Sequence, residues 1–441
     1  MNIVVLGGGE SGFGAAFLAK KQGHQVFVSD FGNIADSYAK KMVESDIEFE
    51  EGQHTSEIIF KADVIVKSPG IPNTVPVITK AKENGIEVIS EIEWAYRHIN
   101  EGKIIAITGS NGKTTTTSLM YDVLCNYSNS VCLAGNIGES LSYKVALNSY
   151  DYYAIELSSF QLDDIVTFKP DVAIILNISA DHLDRYDWNI DNYAQSKMNI
   201  AKNMTPSDHL IVWEEDELIQ KYLDVEKVSS HSFSSKGNLF CQGRFEKEHL
   251  KIRQSAVWDF NIESLSLQGQ HNYMNMMAVG LASQILKIDQ ESVQSAFTNF
   301  KSVEHRLEFV KTVEGVQYIN DTKATNVDAV YYALDTFTQP IVWIAGGIDK
   351  GNDYSLIENL VQNKVKLLIC LGDNKDNLIA SFEGKVPMVF ATSMQEAVTL
   401  AKSSAEIEDV VLLSPACSSF DMFNNYAHRG VVFKECVHKL M

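Results

Sequence analysis

The chain has few basic residues for its length, and this shortage excludes several classes of partner. Of its 441 residues, 37 are lysine or arginine and 57 are aspartate or glutamate, so the formal net charge is −20. Such a charge opposes general electrostatic binding to nucleic acid or to an anionic membrane. We therefore expect neither partner, and any anionic ligand has to be held by local donors.

Paired cysteines and long apolar runs are also missing. The six cysteines are scattered without a C-x-x-C spacing, which favours reduced thiols over a disulfide framework. The opening residues, MNIVVLG, include no basic start, and their apolar run is too short for a signal peptide or a membrane span. We expect the protein to stay in the cytoplasm, and we expect a monomer.

What the sequence does contain is short apolar runs that alternate with helical stretches. This alternation is typical of parallel β-sheets covered by helices, and the length requires more than one hydrophobic core. The runs form three series, which begin at NIVVL (Asn2–Leu6), at IIAIT (Ile104–Thr108) and at VQYIND (Val316–Asp321). We predict an α/β protein with three domains, residues 1–97, 98–301 and 302–441.

The first strand is followed by glycines at the spacing of a nucleotide-binding turn. Gly7, Gly9 and Gly12 match G-x-G-x-x-G, and Asp30 ends the second predicted strand. The pattern is typical of a dinucleotide site, with pyrophosphate at the helix N-terminus and Asp30 near a ribose hydroxyl. Two alternatives stay open: a tight turn in which glycine serves only the backbone, and a site for a different nucleotide diphosphate.

A second glycine-bearing loop, TGSNGKTTTT, follows the strand IIAIT. It lacks the first glycine of the usual phosphate loop, because that position holds Ile107. The rest of the pattern remains: backbone N–H groups at a helix start can wrap phosphates, Lys113 supplies a positive charge, and the Thr114 hydroxyl can reach Mg²⁺. We therefore predict ATP binding by the residues Gly109, Ser110, Asn111, Gly112, Lys113, Thr114, Thr115 and Thr116.

Five later motifs follow this loop in a characteristic order. They are ELSSFQL (Glu156–Leu162), DHLDRY (Asp181–Tyr186), HNYMN (His271–Asn275), EHRLE (Glu304–Glu308) and NDTKATN (Asn320–Asn326). Together with the phosphate loop they resemble the Mur ligases, the ATP-dependent amino-acid-adding enzymes of peptidoglycan synthesis. The resemblance spans nearly the whole chain.

The resemblance implies a fold and a reaction. The fold would consist of a Rossmann-like domain for a UDP-linked substrate, a central phosphate-loop ATPase domain with a mostly parallel sheet, and a dinucleotide-fold-like domain for the amino acid. GGGESG, KSPGIP (Lys67–Pro72) and LLSPACSSFDMF (Leu412–Phe423) are most similar to family members that add D-glutamate to UDP-N-acetylmuramoyl-L-alanine. ATP would convert the acceptor carboxylate to an acyl phosphate, which the amine of D-glutamate then attacks.

The family also implies roles for individual residues. Two Mg²⁺ ions would be held by Thr114, Glu156, His182 and a Lys197 carbamylated by CO₂. Without the resemblance, Lys197 in YAQSKMNI would be interpreted as a solvated helix lysine. The catalytic residues would be Lys113, Lys197, His182 and Lys323.

Three sets of binding residues are implied in the same way. ATP would contact Asn272, Arg306 and Asp321 besides the loop; the UDP-linked substrate would contact Ser11, Asp30, Gly70, Asn136 and His182; D-glutamate would contact Thr325, Lys350, Ser419, Phe420 and Tyr426. The chain departs from the family pattern at Glu10, Phe31 and Gly32, and at Tyr426, where we would expect phenylalanine. An interdomain salt bridge is the alternative role for Arg306.

Other functions fit part of the sequence. An NAD(P)-dependent oxidoreductase would explain GGGESG and Asp30 but would leave GSNGKTTTT without a role. A nucleotide-binding regulatory protein would not need Glu156, His182 and Lys197 together. Within the ligases, a folylpolyglutamate synthase would also activate a carboxylate and add glutamate.

Overall fold

The computed structural model describes residues 1–301, 303–349, 351–372 and 376–440. The chain divides into two units, Met1–Ser266 with Tyr273–Phe300, and Leu267–Asn272 with Lys301–Met441. The first unit contains two sheets and the second contains one. These mostly parallel, helix-covered sheets confirm the predicted α/β fold class, while the boundaries at 97/98 and 301/302 remain a prediction.

The first sheet is entirely parallel. Its strands are β1 (Asn2–Leu6), β2 (Gln25–Ser29), β3 (Glu48–Glu50), β4 (Val64–Lys67) and β5 (Glu87–Ser90), in the spatial order β3-β2-β1-β4-β5. Its helices are α1 (Glu10–Lys21), α2 (Asp36–Glu44), α3 (Ser56–Ile59), α4 (Pro76–Glu83) and α5 (Glu91–Tyr96). The strand order reverses beside β1, so ligand-binding loops are expected at its carboxyl end.

The second sheet has nine strands. They are β6 (Lys103–Thr108), β7 (Val131–Gly135), β8 (Tyr152–Glu156), β9 (Val172–Ile175), β10 (His209–Trp213), β11 (Ser229–Ser234), β12 (Gly243–Glu246), β13 (His249–Ile252) and β14 (Trp258–Asn261). The spatial order is β14-β13-β12-β11-β10-β9-β6-β8-β7, and only the β12–β13 and β13–β14 pairs are antiparallel. The loops after β6, β8 and β9 therefore meet at one edge.

Seven α-helices and three short 3₁₀ turns accompany this sheet. The helices are α6 (Lys113–Tyr127), α7 (Leu141–Leu147), α8 (Ser159–Leu162), α9 (Ile190–Met198), α10 (Glu217–Tyr222), α11 (Gln270–Ile285) and α12 (Gln290–Asn299), and the turns are Leu183–Arg185, Asn199–Ala201 and Ile262–Ser264. Helix α11 begins in residues that group with the second unit. Helix α8 starts at a capping box, in which Ser158 and Gln161 each satisfy the other's backbone N–H.

The third sheet is parallel except at one edge. Its strands are β15 (Glu308–Val313), β16 (Val316–Asn320), β17 (Ile341–Ala345), β18 (Val365–Leu371), β19 (Met388–Ala391) and β20 (Val410–Leu413), in the order β15-β16-β20-β17-β18-β19 with β15 antiparallel to β16. Its helices are α13 (Val327–Thr336), α14 (Glu358–Lys364), α15 (Asp376–Phe382), α16 (Met394–Ser404) and α17 (Tyr426–His438), with a 3₁₀ turn at Tyr354–Ile357. Buried aliphatic clusters lie on both faces.

The predicted strands agree with the structure to within a few residues. Apolar runs identified most of the central parallel strands, because these strands are buried on both faces. The strands β3, β5, β7 and β10 to β15 were not predicted, and this set includes the central parallel strand β10 and at least one member of every antiparallel pair. Among the described residues, no helix combines the length and the apolar character needed to cross a bilayer.

Candidate active site

The glycine-bearing loop after β6 is hydrogen-bonded to Asn177 in the loop after β9. Backbone N–H groups of Ser110 and Asn111 donate to the carbonyl and the side-chain oxygen of Asn177, each at 2.8 Å. Gly112 precedes α6 with φ of 85°, a left-handed conformation that glycine adopts without strain. A Cβ at this position would lie 2.7 Å from Oδ1 of Asn275. These contacts and the glycine conformation therefore fix the shape of the loop.

The side chain of Lys113 folds back over this loop. Its ammonium donates to the carbonyl oxygens of Gly109 and Ser110, both at 2.8 Å. Thr114 and Thr115 are buried in the first turn of α6, and the Thr116 hydroxyl donates to the Gly112 carbonyl at 2.9 Å. The structure thus brings the eight loop residues of the predicted ATP set to one helix N-terminus, where backbone N–H groups and the helix dipole favour phosphate.

Glu156 lies beside the loop at the end of β8. Its backbone is in register with Ile107 of the neighbouring strand β6, and its side chain is fully buried. Asn136 donates from Nδ2 to Glu156 Oε1 at 2.7 Å and from its backbone N–H to the Glu156 carbonyl at 2.9 Å. Two residues predicted to contact different ligands, metal and UDP-linked substrate, therefore touch each other.

Lys197 is buried, although it lies on a helix whose pattern also allowed a solvated lysine. Only 1% of the residue is exposed, and its Nζ donates to the Gly109 carbonyl at 2.8 Å. Burial and the nearby Lys113 charge hold the pKa of Lys197 well below its usual range, against the opposing effect of Asp181 and Glu156. The solvated-lysine alternative is wrong. A lysine with a lowered pKa carries a larger neutral fraction, which makes its amine a nucleophile.

His182 begins the 3₁₀ turn Leu183–Arg185 in a left-handed conformation, with φ of 52°. Its backbone N–H donates to Oδ1 of Asp181 at 3.0 Å, and its Nε2 lies 3.6 Å from the other oxygen of that carboxylate. The imidazole packs edge-on against Phe160, with ring centroids 5.2 Å apart. The loops after β8 and β9 thus hold His182 at the same sheet edge as Glu156.

In the first sheet, the glycine pattern serves packing as well as a possible ligand. A Cβ on Gly12 would collide with the carbonyl of Gly7. Both oxygens of Asp30 accept backbone N–H groups, Oδ2 from Gly8 at 2.6 Å and Oδ1 from Gly32 at 2.8 Å. Asp30 therefore organises the turn itself, and contact of Ser11, Asp30 and Gly70 with a nucleotide remains a prediction.

Asp321 is the carboxyl group among the predicted ATP-binding residues of the second unit, and its pKa is shifted. It is buried, Oδ2 accepts from the Ser414 hydroxyl at 2.8 Å, and Oδ1 accepts from the Leu307 N–H at 3.2 Å. Burial raises the pKa of Asp321 to about 7, with Arg306 acting in the opposite direction. Asn272, in the same unit, donates to the Gln268 carbonyl at 2.8 Å.

This raised pKa predicts a specific pH dependence. Between the ordinary value of 3.8 and about 7, folded Asp321 keeps a proton that the unfolded chain releases, so the free energy of unfolding falls as pH rises through this interval. Asp321→Asn removes the titration. We expect the Tm of the variant, relative to that of wild type, to increase between about pH 5 and about pH 8. The corresponding change in the free energy of unfolding has an upper limit of about 4 kcal/mol. Parallel Tm curves for the two proteins would contradict the buried-carboxyl assignment.

Of the residues predicted to bind D-glutamate, Thr325 follows β16, Ser419 and Phe420 follow the adjacent strand β20, and Tyr426 begins α17. The Thr322 hydroxyl donates to the Tyr426 carbonyl at 3.0 Å, and the Lys323 ammonium lies 5.4 Å from the centre of the Tyr426 ring. Thr325 is half-buried, Ser419 is buried and Phe420 is 70% exposed. Lys350 lies outside the described residues.

One residue that the sequence did not indicate organises these loops. Arg429 of α17 is buried and donates to Thr322 Oγ1 at 2.9 Å and to the carbonyls of Thr322 at 3.0 Å, Cys417 at 3.1 Å and Gly346 at 3.4 Å. It therefore joins the loops after β16, β20 and β17. Nothing in its surrounding sequence distinguishes it from a surface arginine. Asn177, by contrast, could have been found, since it is a polar residue directly after a predicted strand.

The site lies at the carboxyl edge of a mostly parallel sheet. It combines a phosphate-type loop, a buried carboxylate and a buried lysine. These features are those of a nucleotide-binding α/β enzyme of the phosphate-loop class. Three family models match the chain: "Mur ligase MurD-like, N-terminal domain" over residues 1–90, "Mur ligase middle domain" over 107–283 and "Mur ligase, glutamate ligase domain" over 305–417. The chain belongs to the Mur ligase family.

Individual relatives agree over the full length. The chain is 46% identical to a protein of Cytophaga hutchinsonii over 444 residues, 99% of both chains, and 46% identical to one of Porphyromonas gingivalis over 445 residues, 100% of this chain and 99% of the other. Both relatives are named UDP-N-acetylmuramoylalanine–D-glutamate ligase. The crystal structure of the UDP-N-acetylmuramate-alanine ligase MurC of Thermotoga maritima has the same fold, with a TM-score of 0.64 at 19% identity and 99% of each chain covered.

These findings confirm the predicted resemblance. They also exclude the oxidoreductase alternative, because the G-x-G-x-x-G turn lies in a segment that matches a Mur ligase N-terminal domain. The regulatory-protein alternative loses its support as well, since Glu156, His182 and Lys197 do lie at one sheet edge.

Proposed function

We propose that this chain is an ATP-dependent ligase that joins D-glutamate to UDP-N-acetylmuramoyl-L-alanine in the synthesis of peptidoglycan precursors. One observation carries the proposal: Lys113, Glu156 and Lys197 converge at one sheet edge in a chain that is 46% identical, over 99% of its length, to a relative named for this activity. We further propose that it acts as a monomer in the cytoplasm, a compartment compatible with its six scattered cysteines.

The reaction has two steps, each of which brings anions together. An oxygen of the acceptor carboxylate attacks the γ-phosphorus of ATP, the bond to the β-phosphate oxygen breaks, and ADP leaves. The amine of D-glutamate then attacks the acyl carbon, the C–N bond forms, and phosphate and a proton are released. Positive charge and oriented donors near the transferring group are therefore required. Lys113 and the N–H groups at the start of α6 supply them.

The donor set fits Mg²⁺. Hydroxyl and carboxylate oxygens suit a hard cation, and the structure holds a buried Glu156 carboxylate next to the strand that leads to Thr114. Thr114, Glu156, His182 and a modified Lys197 would hold the metal, which we propose is present as two ions. When bound, Mg²⁺ would offset the negative charge of phosphate and carboxylate oxygens.

Lys197 is the residue whose chemistry has to change for this purpose. As an ammonium it would repel a cation. Its lowered pKa favours the neutral amine, which can attack CO₂ to form an N–C bond and release a proton, giving a carbamate anion with two oxygens. We propose that Lys197 works in this carbamylated form.

The remaining assignments rest on the resemblance to the family. We propose that residues 1–97 bind the UDP end through Ser11, Asp30 and Gly70, helped by Asn136 and His182, that residues 98–301 bind ATP, and that residues 302–441 bind the amino acid. The last domain would hold D-glutamate through Thr325, Lys350, Ser419, Phe420 and Tyr426. It would also supply Arg306, Asp321 and Lys323, while Asn272 would contact ATP from the central domain.

The experiment that tests this function is a phosphate-release screen. Purified protein with ATP and Mg²⁺ is offered UDP-muramoyl acceptors and a folate acceptor, each crossed with D-glutamate, L-glutamate and D-glutamine. We expect ADP and phosphate only with UDP-N-acetylmuramoyl-L-alanine and D-glutamate. Loss of the side-chain charge in D-glutamine should cost roughly 2–5 kcal/mol of binding, by comparison with charge pairs that lose one partner.

Two results would contradict the proposal. Turnover of the folate acceptor with L-glutamate would make the protein a folylpolyglutamate synthase. Equal use of D- and L-glutamate on the muramoyl acceptor would leave a ligase but would refute the assigned amino-acid pocket.

A further inference from the structure

A buried ion pair joins the two sheets of the first unit. Lys67 is the last residue of β4 in the first sheet, and Asp164 follows α8 of the second sheet. The Lys67 Nζ and Asp164 Oδ2 atoms are 2.8 Å apart, and the two side chains are only 3% and 4% exposed. The backbone carbonyl of Asp164 also accepts from the N–H of Ser90, at the end of β5. This contact therefore sets the carboxyl edge of the first sheet against α8.

The pair also holds the segment that follows β4, residues Ser68–Asn73, which we call the 68–73 loop. Lys67 Nζ donates to the Ile71 carbonyl at 2.7 Å. Asn73 Nδ2 donates to Asp164 Oδ1 at 2.8 Å. Midway along the loop, the Gly70 carbonyl accepts from Arg185 Nη1 at 3.1 Å. Two of these three contacts depend on Lys67 or Asp164. The loop is also held by the Ser68 N–H, which donates to the Leu6 carbonyl at 2.9 Å, and by Lys82, which donates to Asn73 Oδ1 at 3.1 Å.

Two of the residues that hold the 68–73 loop lie close along the chain to Glu156 and His182, two residues of the proposed reacting centre. Asp164 lies eight residues after Glu156 along the chain, and Arg185 lies three after His182. The guanidinium of Arg185 stacks 4.6 Å from the centre of the Phe160 ring, against which the His182 ring also packs. A shift of the 68–73 loop would therefore change its position relative to both Glu156 and His182.

Stability alone does not account for such a pair. Moving two charges out of water costs about as much as their attraction returns, so apolar replacements of a buried ion pair are often neutral or stabilising. A buried pair does fix the relative position of the two segments that carry it, because each charge must face the other. Lys67 and Asp164 meet this condition, and both also hold the 68–73 loop through hydrogen bonds.

We propose that the Lys67–Asp164 pair positions the UDP-linked substrate: it holds the 68–73 loop, with Gly70, at a fixed distance from the phosphoryl-transfer centre. Lys67 and Asp164 are positioning residues and do not touch the reacting atoms. The inference rests on the proposed function, since it takes Gly70 as a contact of the UDP-linked substrate.

The test is the double variant Lys67→Met/Asp164→Leu, which removes both charges and keeps the volume. We expect its Tm to equal or exceed that of wild type. We expect the KM for UDP-N-acetylmuramoyl-L-alanine to rise by roughly ten- to a hundredfold, since small misplacements of a bound substrate have effects of this size. The KM values for ATP and D-glutamate should not change, and calorimetric titration of the acceptor alone should show the same loss of affinity.

The matched control is Lys40→Met/Glu44→Leu, which removes an exposed pair, 3.9 Å apart, from helix α2 of the same sheet. It should leave all three KM values unchanged. The single variant Asp164→Asn can still accept from Asn73 through its one amide oxygen, but it loses the charge and the second oxygen that faces Lys67. We expect a smaller rise of the same KM, and this variant carries the test if the double variant does not fold.

The outcomes separate the inference from the function on which it rests. An active wild type with unchanged acceptor KM and affinity in a folded variant would overturn the positioning role alone. Equal rises of all three KM values would also overturn it, because they would indicate general damage. A wild type that neither binds nor uses the acceptor would overturn both the role and the proposed function.

Discussion

Replacement of Lys113 by alanine is expected to abolish ADP formation while the fold persists. The lysine lies over the loop at the start of α6, where its ammonium contacts the Gly109 and Ser110 carbonyls. Removing one donor to charge that develops in a transition state commonly costs about 10²–10³-fold in rate. The loss should therefore appear in kcat, measured as ADP release at saturating acceptor and D-glutamate.

The matched control for this variant is Lys103→Ala. Lys103 begins the strand β6 whose other end leads to Lys113, and its side chain is largely exposed in an ion pair with Asp171. We expect near-normal turnover, because exposed pairs contribute little. If Lys113→Ala retained wild-type turnover together with a wild-type Tm, the ATP-site assignment would be wrong.

Lys197→Ala is expected to be nearly inactive and to regain part of its rate with a short carboxylate. The substitution removes both the proposed carbamate and its stem, and the space it leaves beside Gly109 can admit formate or acetate. Either anion would return oxygen atoms to the position of the carbamate. The measurement is the rate of ADP formation as a function of added formate, with chloride at equal ionic strength for comparison.

A direct measurement accompanies this rescue. Wild-type protein equilibrated with ¹³C-labelled bicarbonate should show one carbamate carbon resonance that Lys197→Ala lacks. Lys221→Ala, an exposed lysine on the neighbouring helix α10, should keep both the resonance and the activity. An active wild type without such a resonance would refute the carbamate, and full activity of Lys197→Ala without formate would refute any role of Lys197.

Local sequence was sufficient to locate the parts of the site that lie directly after strands. The phosphate loop, Glu156 and the loop of Asp30 all follow apolar runs, and a parallel sheet brings such strand ends to one edge. Local sequence did not separate the possible roles of these groups. Gly12 proved to be needed for close backbone packing, since a Cβ there would collide with the Gly7 carbonyl, whether or not the turn also admits a nucleotide.

Residues whose roles depend on distant segments of the chain could not be predicted from local sequence. Arg429 follows no strand, yet it binds three loops of the third sheet. Asp164 carries no motif signal, yet it meets Lys67 between two sheets. A hydrogen-bond donor or a charge becomes informative only when its partner is known, and both partners here lie far away along the chain.

The sequence by itself determined the α/β class, most of the central parallel strands, the phosphate loop and the family, because buried strands and helix starts have local signatures and the motifs occur in a fixed order. Only the tertiary structure decided the environment of each charge. Lys197 reaches Gly109 across 88 positions of the chain, and its pKa falls because packing removes water and places Lys113 nearby. Burial is a property of the folded arrangement of distant segments, so the same lysine on the same helix would have been an ordinary solvated cation in another fold.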